Sequence, residues 1–410
     1  MRPIKRVTLV VLDGFGIGAM ADVPLVRPQD IGANTMLHIA QRLGQLRLPA
    51  LEAMGLGNLQ SVPGVRPVGL AATAAWGRCN LRHVGADTYA GHQEIAGSAP
   101  GTPVAQPMSR MAAAIAGALE QAGHRVERIG PTRTTLLVDG GMLVADNLEG
   151  EAAQNINVTA CLDDFTFKQV CDVSEIVRAN VAVGRVIAVT GREFGGLPAI
   201  LANLEERPGL CGVNTALLGI YNEQYRVRHL VLGGRREGQA PYIAQRAGLP
   251  VSLIGKAADV IVCDGAEYRP AVQTAEVLDL ILDRLAVQQE GLIFANVQET
   301  DLAGHEQDVA GYARVLQLVD ERIPRLQAAM GPADLLLITA DHGNDPTLGT
   351  RHTRECTPVL AWSPGMRPVS LVERSTLADL GATVTRTLGL PPTEAGTSFY
   401  EELDFEVTPA

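Results

Sequence analysis

Residues 334–346 read Asp-Leu-Leu-Leu-Ile-Thr-Ala-Asp-His-Gly-Asn-Asp-Pro. The apolar run does not alternate, so it predicts a parallel strand buried on both faces over Asp334–Thr339. It then breaks into carboxylates and a histidine, Asp341, His342, Asn344 and Asp345. The same grammar occurs twice more. Arg6–Leu12 is a β-branched apolar run stopped by Asp13-Gly14. Leu292–Val297 runs into Gln-Glu-Thr-Asp301-Leu-Ala-Gly-His305. In open α/β sheets ligands bind beyond the carboxyl ends of the strands, so three such endings converge on one crevice.

Outward from these strands, helical patterns alternate with apolar runs. Helices are predicted over 31–43, 107–123, 274–286, 308–329 and 377–388, and a further strand over 357–361. Pro324 is expected to kink or end its helix. Between 124 and 226 the texture changes to short β-like runs (135–138, 156–160, 185–190) separated by Gly, Asp and Asn. The predicted organisation is an α/β core built from 1–98 and 229–410, with an inserted smaller α+β cap at 99–228. No internal repeat or low-complexity segment is present.

With 410 residues the chain has room for about two to three domains. Its net charge of −11 and the absence of any basic run argue against a nucleic-acid partner. The apolar stretch at residues 7–12 is too short for a signal peptide core or a membrane span. The six cysteines, Cys79, Cys161, Cys171, Cys211, Cys263 and Cys356, form no CxxC pair. They are expected as free thiols, and the protein as soluble and cytoplasmic. Oligomeric state is not written in the sequence.

Three of the eight histidines, His305, His342 and His352, fall in or just after the polar strand endings. Singly, each has an ordinary explanation as a surface or hydrogen-bonded histidine. Grouped with Asp301 four residues before His305 and Asp341 directly before His342, they favour metal ligation. Carboxylates mixed with imidazoles suit Mn²⁺ or Zn²⁺ better than Mg²⁺.

Four segments taken in order, LVVLDGFGIG, ADTYAGHQEIAG, DLAGH and LLITADHGNDP…RHTRE, resemble phosphopentomutases of the alkaline phosphatase superfamily. The resemblance covers about 1–98 and 229–410 and extends weakly through residues 183–188. It implies an alkaline-phosphatase-like three-layer sandwich core and two divalent metal ions, Mn²⁺ foremost with Zn²⁺ as the alternative. Asp13, Asp341 and His342 would hold one ion, and Asp301, His305 and His352 the other. By the same resemblance Thr88 becomes phosphorylated, and Lys256 lies near the transferring phosphate. Two cations can clamp the attacking and leaving oxygens of an in-line displacement, and metal coordination activates a hydroxyl that is otherwise a poor nucleophile. The implied activity is phosphoryl transfer within a small phosphorylated sugar or polyol, with a sugar bisphosphate as candidate activator and the inserted unit as a lid that excludes water.

The chain departs from the family pattern in three places. Ala86 stands where a lysine usually precedes the Asp-Thr pair. The Arg-Thr-Pro-Asn-Arg-His-Asp run of the cap is missing, and Arg192, Arg226 and Arg228 are the candidate replacement phosphate contacts. The Asp-to-His spacing in DLAGH is one residue short. The competing reading is a phosphatase or phosphodiesterase using the same threonine. A non-catalytic metal-binding protein fits less well with a full set of ligands beside Thr88 and Lys256, and no Cys/Ser-x-Pro-x-Arg context supports a sulfatase.

Overall fold

The computed structural model describes residues 4–99, 101–149, 153–220, 224–232 and 235–405. The chain divides into two compact units, Met1–Pro100 with Arg235–Ala410, and Gly101–Gly234.

The first unit carries a seven-stranded sheet in the order Glu267–Arg269, Val251–Gly255, Gly291–Val297, Arg6–Leu12, Asp334–Thr339, Thr357–Trp362, Ala75–Cys79. The first five are parallel, and Thr357–Trp362 runs against both its neighbours. Every residue of Arg6–Leu12, Gly291–Val297 and Asp334–Thr339 is buried. Since successive side chains point to opposite faces, both faces of the sheet must be covered. Helices Thr274–Val287, Val309–Ala328 and Pro49–Ala53 pack as one group, and Ala378–Thr387 packs with Thr88–Ile95 and Ala240–Arg246 as another. The α/β class expected from the unalternating strands, and the sandwich core that the resemblance implies, are thus the architecture found.

Arg6 fixes the register at the base of the central strand. Its buried guanidinium donates Nε and Nη2 to Asp334 at 2.8 and 2.7 Å. It also reaches the carbonyls of Leu285 and Gln288, so one polar side chain ties the first strand, its neighbour and the end of a helix.

Helix Val309–Ala328 spans Pro324, as the pattern over 308–329 predicts, so of the two expected effects of the proline the helix end does not occur. Buried Val319, Ile323 and Leu326 flank the proline, and burying side chains of this size at about 1.5–3 kcal/mol each offsets the roughly 3 kcal/mol that an interior proline costs. The boundary drawn at 228/229 cuts through the strand Arg226–Val231, which pairs along its length with Arg185–Gly191. That strand therefore belongs to the second unit.

The second unit has an eight-stranded sheet of its own, with the path Arg226–Val231, Arg185–Gly191, Asn155–Cys161, Met142–Asn147, Thr135–Val138, Val126–Ile129. The hairpin Leu204–Arg207/Leu210–Val213 attaches beside Met142–Asn147. Helices Met108–Gln121 and Phe167–Ala179 cover one face, with Ile115 and Val170 in one core with Leu136, Val158 and Val186. All six cysteines are free and buried, and among the described residues no helix is long and apolar enough to cross a membrane.

Candidate metal centre

The parallel strands of the first unit end side by side and place Lys256, Asn296, Asp13 and Asp341 at their carboxyl ends, in sheet order. Asp13 and Asp341 are fully buried. Gly14 turns the chain directly after Asp13 at φ 73°, and its N–H donates to Asp341 Oδ1 at 3.1 Å. Thr300 Oγ1 and the buried Tyr312 hydroxyl donate to the carbonyls of Asp13 and Gly14 at 2.6 and 2.8 Å, which fixes this turn from below.

Helix Glu299–His305 sets Asp301 and His305 four residues apart on one face. His305 Nε2 lies 3.3 Å from Asp301 Oδ2 and 3.0 Å from His352 Nε2. His342 Nε2 lies 3.2 Å from Asp341 Oδ2 and 3.5 Å from Asp13 Oδ1. Ligand atoms of Asp13, Asp341 and His342 fall within 4.8 Å of one another, and so do those of Asp301, His342 and His352. His342 therefore stands between the two groups, its ring stacked on that of His352 with centroids 3.9 Å apart.

The hydrogen bonds of the three imidazoles decide what they can do. Nδ1 of His305 faces the carbonyl of Thr350 at 2.7 Å, Nδ1 of His342 that of Gly343 at 3.0 Å, and Nδ1 of His352 that of Ala86 at 2.8 Å. A carbonyl only accepts, so each Nδ1 carries a proton, and each Nε2, beside the carboxylates, is the ring atom left to bind a metal ion. Two imidazole lone pairs 3.0 Å apart beside Asp301 suit a shared cation. His342 Nε2 and Asp13 Oδ1 are buried without a hydrogen bond, as atoms waiting for a metal would be. The donor set fits divalent ions.

Electrostatics point the same way. Burial, and then the neighbouring Asp341, push the Asp13 carboxyl up to about 6, against the pull of Lys256. Burial works against ionised Asp301 too, yet His305 and His352 hold it far below the usual carboxylate range. Asp341 is likewise driven down, against its burial, by His342 and His92. His342 is pushed up to about 10 because Asp341, Asp301 and Asp13 outweigh its desolvation. Three buried carboxylates thus demand positive charge. Lys256 supplies some of it, with Nζ 2.7 Å from Asp13 Oδ2 and 3.7 Å from Asp301 Oδ2.

Thr88 is the first residue of helix Thr88–Ile95, and the cap is Asp87, whose side chain accepts from Ala90 N at 2.9 Å. This leaves the threonine hydroxyl free to donate to Asp341 Oδ2 at 2.7 Å. Buried Arg354 holds the preceding loop by donating to the carbonyls of Leu81, His83 and Gly85. Ala86, in place of a lysine, is buried and contributes its carbonyl to His352.

With this geometry in place, the relatives become informative. A model of the Metalloenzyme superfamily matches residues 5–392. The phosphopentomutase of Symbiobacterium thermophilum is 34% identical, covering 98% of this chain and 100% of that one. The phosphopentomutase of Methylorubrum extorquens is also 34% identical, over 97% and 100%. The chain is a phosphopentomutase-like member of the Metalloenzyme superfamily. A solved phosphoglycerate mutase of Leishmania mexicana is similar at a TM-score of 0.48 and 12% identity, over 97% of each chain.

As a phosphopentomutase-like protein it is a phosphomutase-type metalloenzyme, an isomerase dependent on divalent metal. The structure brings together Asp13, Thr88, Lys256, Asp301, His305, Asp341, His342 and His352. The three arginines lie in the second unit. Arg192 pairs with Asp163 at 2.9 Å and Arg228 with Glu175 at 2.9 Å, while Arg226 is exposed on the same strand as Arg228. Sequence reasoning gave no role to His92, Asn296, Asn344 or Arg354. Asn344 donates to Asp301 Oδ1 at 2.8 Å, and Asn296 to Asp13 Oδ2 at 3.1 Å. Their only signal is proximity to the ligand segments in the chain.

Proposed function

We propose that this phosphomutase-type enzyme moves a phosphoryl group between two hydroxyls of a small phosphorylated sugar, of the pentose class, through a phosphothreonine at Thr88. The observation that carries the reading is the 2.7 Å hydrogen bond from Thr88 Oγ1 to Asp341 Oδ2, which sets an aliphatic hydroxyl against the buried carboxylates. The relatives' printed name supplies the pentose class.

Two divalent cations, Mn²⁺ foremost and Zn²⁺ as the alternative, would be held by Asp13, Asp341 and His342 and by Asp301, His305 and His352. When bound they supply Lewis-acid stabilisation of the transferring oxygens and lower the pKa of a coordinated hydroxyl. Starting from phospho-Thr88, a free hydroxyl of the sugar monophosphate attacks phosphorus. The bond from phosphorus to Oγ1 breaks, and Oγ1 recovers a proton while the sugar becomes a bisphosphate. Thr88 then accepts the other phosphoryl group, and the isomerised monophosphate leaves. Asp341 orients Oγ1, and Lys256 offsets charge on the phosphoryl oxygens. A sugar bisphosphate would prime the enzyme by the same exchange. The second unit is the proposed cap, with Arg192, Arg226 and Arg228 as its candidate phosphate contacts; the surface pairs that hold Arg192 and Arg228 are weak enough to exchange for a phosphate.

The test is intact-protein mass and peptide mapping after incubating Mn²⁺-loaded enzyme with a panel of sugar mono- and bisphosphates. A phosphoryl adduct on Thr88, absent from Thr88→Ala, is expected with pentose phosphates, without steady release of phosphate. Isomerisation of pentose phosphates by Thr88→Ala at the wild-type rate would overturn the covalent route, and steady phosphate release would make the enzyme a hydrolase.

A further inference from the structure

His92 lies one helical turn after Thr88, fully buried, with its ring parallel to Phe294 (11° between planes, centroids 6.4 Å apart). Nδ1 is 2.8 Å from the carbonyl of Thr88 and 3.2 Å from Asp341 Oδ2. Nε2 is 2.8 Å from Asn296 Nδ2, and that same nitrogen is 3.1 Å from Asp13 Oδ2. Asn296 is also fully buried.

The amide orientation follows from Asp13. Turning the carboxamide over would set Asn296 Oδ1 against a carboxylate oxygen that Lys256 already holds in its ionised form, acceptor against acceptor. Asn296 therefore spends one N–H on Asp13 and the other on His92 Nε2. Nε2 must accept, so the single ring proton sits on Nδ1 and points at the Thr88 carbonyl and Asp341. Asp13, Asn296, His92, Asp341 and Thr88 form one directed chain with no choice of proton position left.

From this chain we infer that His92 and Asn296 are a pair of positioning residues, which lock the carboxylates of Asp13 and Asp341 and the first turn of the Thr88 helix into a single geometry. Neither touches the reacting atoms. They set the distance between nucleophile and ligand carboxylates and keep Asp341 Oδ2 directed at the first turn of the helix. Residues of this kind typically carry a 10–100-fold effect on metal affinity or activity when removed. The inference rests on the proposed ligand roles of Asp13 and Asp341, but not on the phosphothreonine.

Two readouts test it. In Zn²⁺-loaded full-length enzyme labelled with ¹⁵N-histidine, the resonance pair lost in His92→Asn should be that of a neutral ring protonated on Nδ1. A ring protonated on Nε2 instead would overturn the inference. Second, Mn²⁺ affinity is measured by chelator competition. His92→Phe, which keeps the ring volume, and Asn296→Leu should each weaken binding 10–100-fold, and the double variant should be little worse than either single one. His92→Asn, whose amide can replace the Nδ1 donor, should stay within a few-fold of wild type. Wild-type affinity in His92→Phe and Asn296→Leu would overturn the positioning role. If Thr88 never carries phosphate while both readouts hold, the phosphothreonine fails and the positioning pair stands.

Discussion

The contact between Gly304 and Asn344 makes a quantitative prediction. Gly304 lies between Asp301 and His305 on their helix, and a Cβ there would sit 2.4 Å from Asn344 Cγ and 2.7 Å from both its Nδ2 and Oδ1. Gly304→Ala thus forces Asn344 back by about 1 Å to reach ordinary contact. Asn344 is completely buried, so the movement is taken from its 2.8 Å bond to Asp301 Oδ1. Losing a hydrogen bond to a charged carboxylate costs about 1.5–3 kcal/mol, and the helix preference of alanine over glycine returns about 1 kcal/mol. Stability should therefore fall by only about 0.5–2 kcal/mol by these two terms together. Activity should fall far more, since a 1 Å misplacement at a reacting centre costs about 10²-fold. Calorimetry would measure the first, and kcat/KM for pentose phosphate isomerisation at saturating Mn²⁺ the second. The matched control is Gly117→Ala in helix Met108–Gln121, where a Cβ meets nothing within 4 Å; it should be neutral for activity and stabilising by up to about 1 kcal/mol. Gly304→Ala with activity within about threefold of wild type would refute the view that Asn344 sets Asp301.

Three further outcomes follow from contacts already described or adjoining the site. Buried Glu94 accepts from the amides of Arg82, His83 and Leu377, from His83 Nδ1 and from Thr376 Oγ1. Burial opposes its ionised form, but the His83 hydrogen bond holds its pKa below 4.5. Its contribution is present above pH 4.5 and is lost as pH falls through the lowered folded value, so Glu94→Gln should cost about 2 kcal/mol at neutral pH, a gap that denaturant titration should see close in acid. Asp334→Asn leaves the buried Arg6 guanidinium without its counter-charge and should cost about 3–5 kcal/mol, read as the urea midpoint at unchanged slope. Lys256→Met should lower Tm most in chelator-treated protein, where the lysine and the neighbouring histidines are all that oppose Asp13 and Asp301; excess Mn²⁺ should restore most of the loss.

The core strands and long helices of this protein are legible from local pattern, because both-face burial leaves unalternating apolar runs and one-face burial leaves a helical period. The ligand carboxylates are legible because each lies in the short polar segment that follows such a strand. The positions of His92 and Asn296 are not, since their roles depend on meeting across 204 residues of chain, and nothing local distinguishes them from an ordinary helix histidine or strand-end asparagine. Lys256 is a similar case: only the fold shows that an isolated lysine after a strand faces two buried carboxylates. Pro324 does not end its helix because intrinsic propensity is weaker than the burial of its helix neighbours. The end of the inserted unit misleads because a strand edge is marked by pairing partners, not by composition.

The place of the first strand has a consequence for biosynthesis. Arg6–Leu12 lies at the centre of its sheet, between Gly291–Val297 and Asp334–Thr339. It leaves the ribosome long before both of its partners, neither of which begins until residue 291. At about 5–20 residues per second it waits roughly 15–55 s with two open edges of Val and Leu. During that interval the chain from Gly101 to Gly234, which has cores of its own, can finish folding, while the residues that will form the metal centre remain strangers. Translation rate and chaperone supply, more than the stability of the finished sheet, should therefore govern how much enzyme a cell recovers.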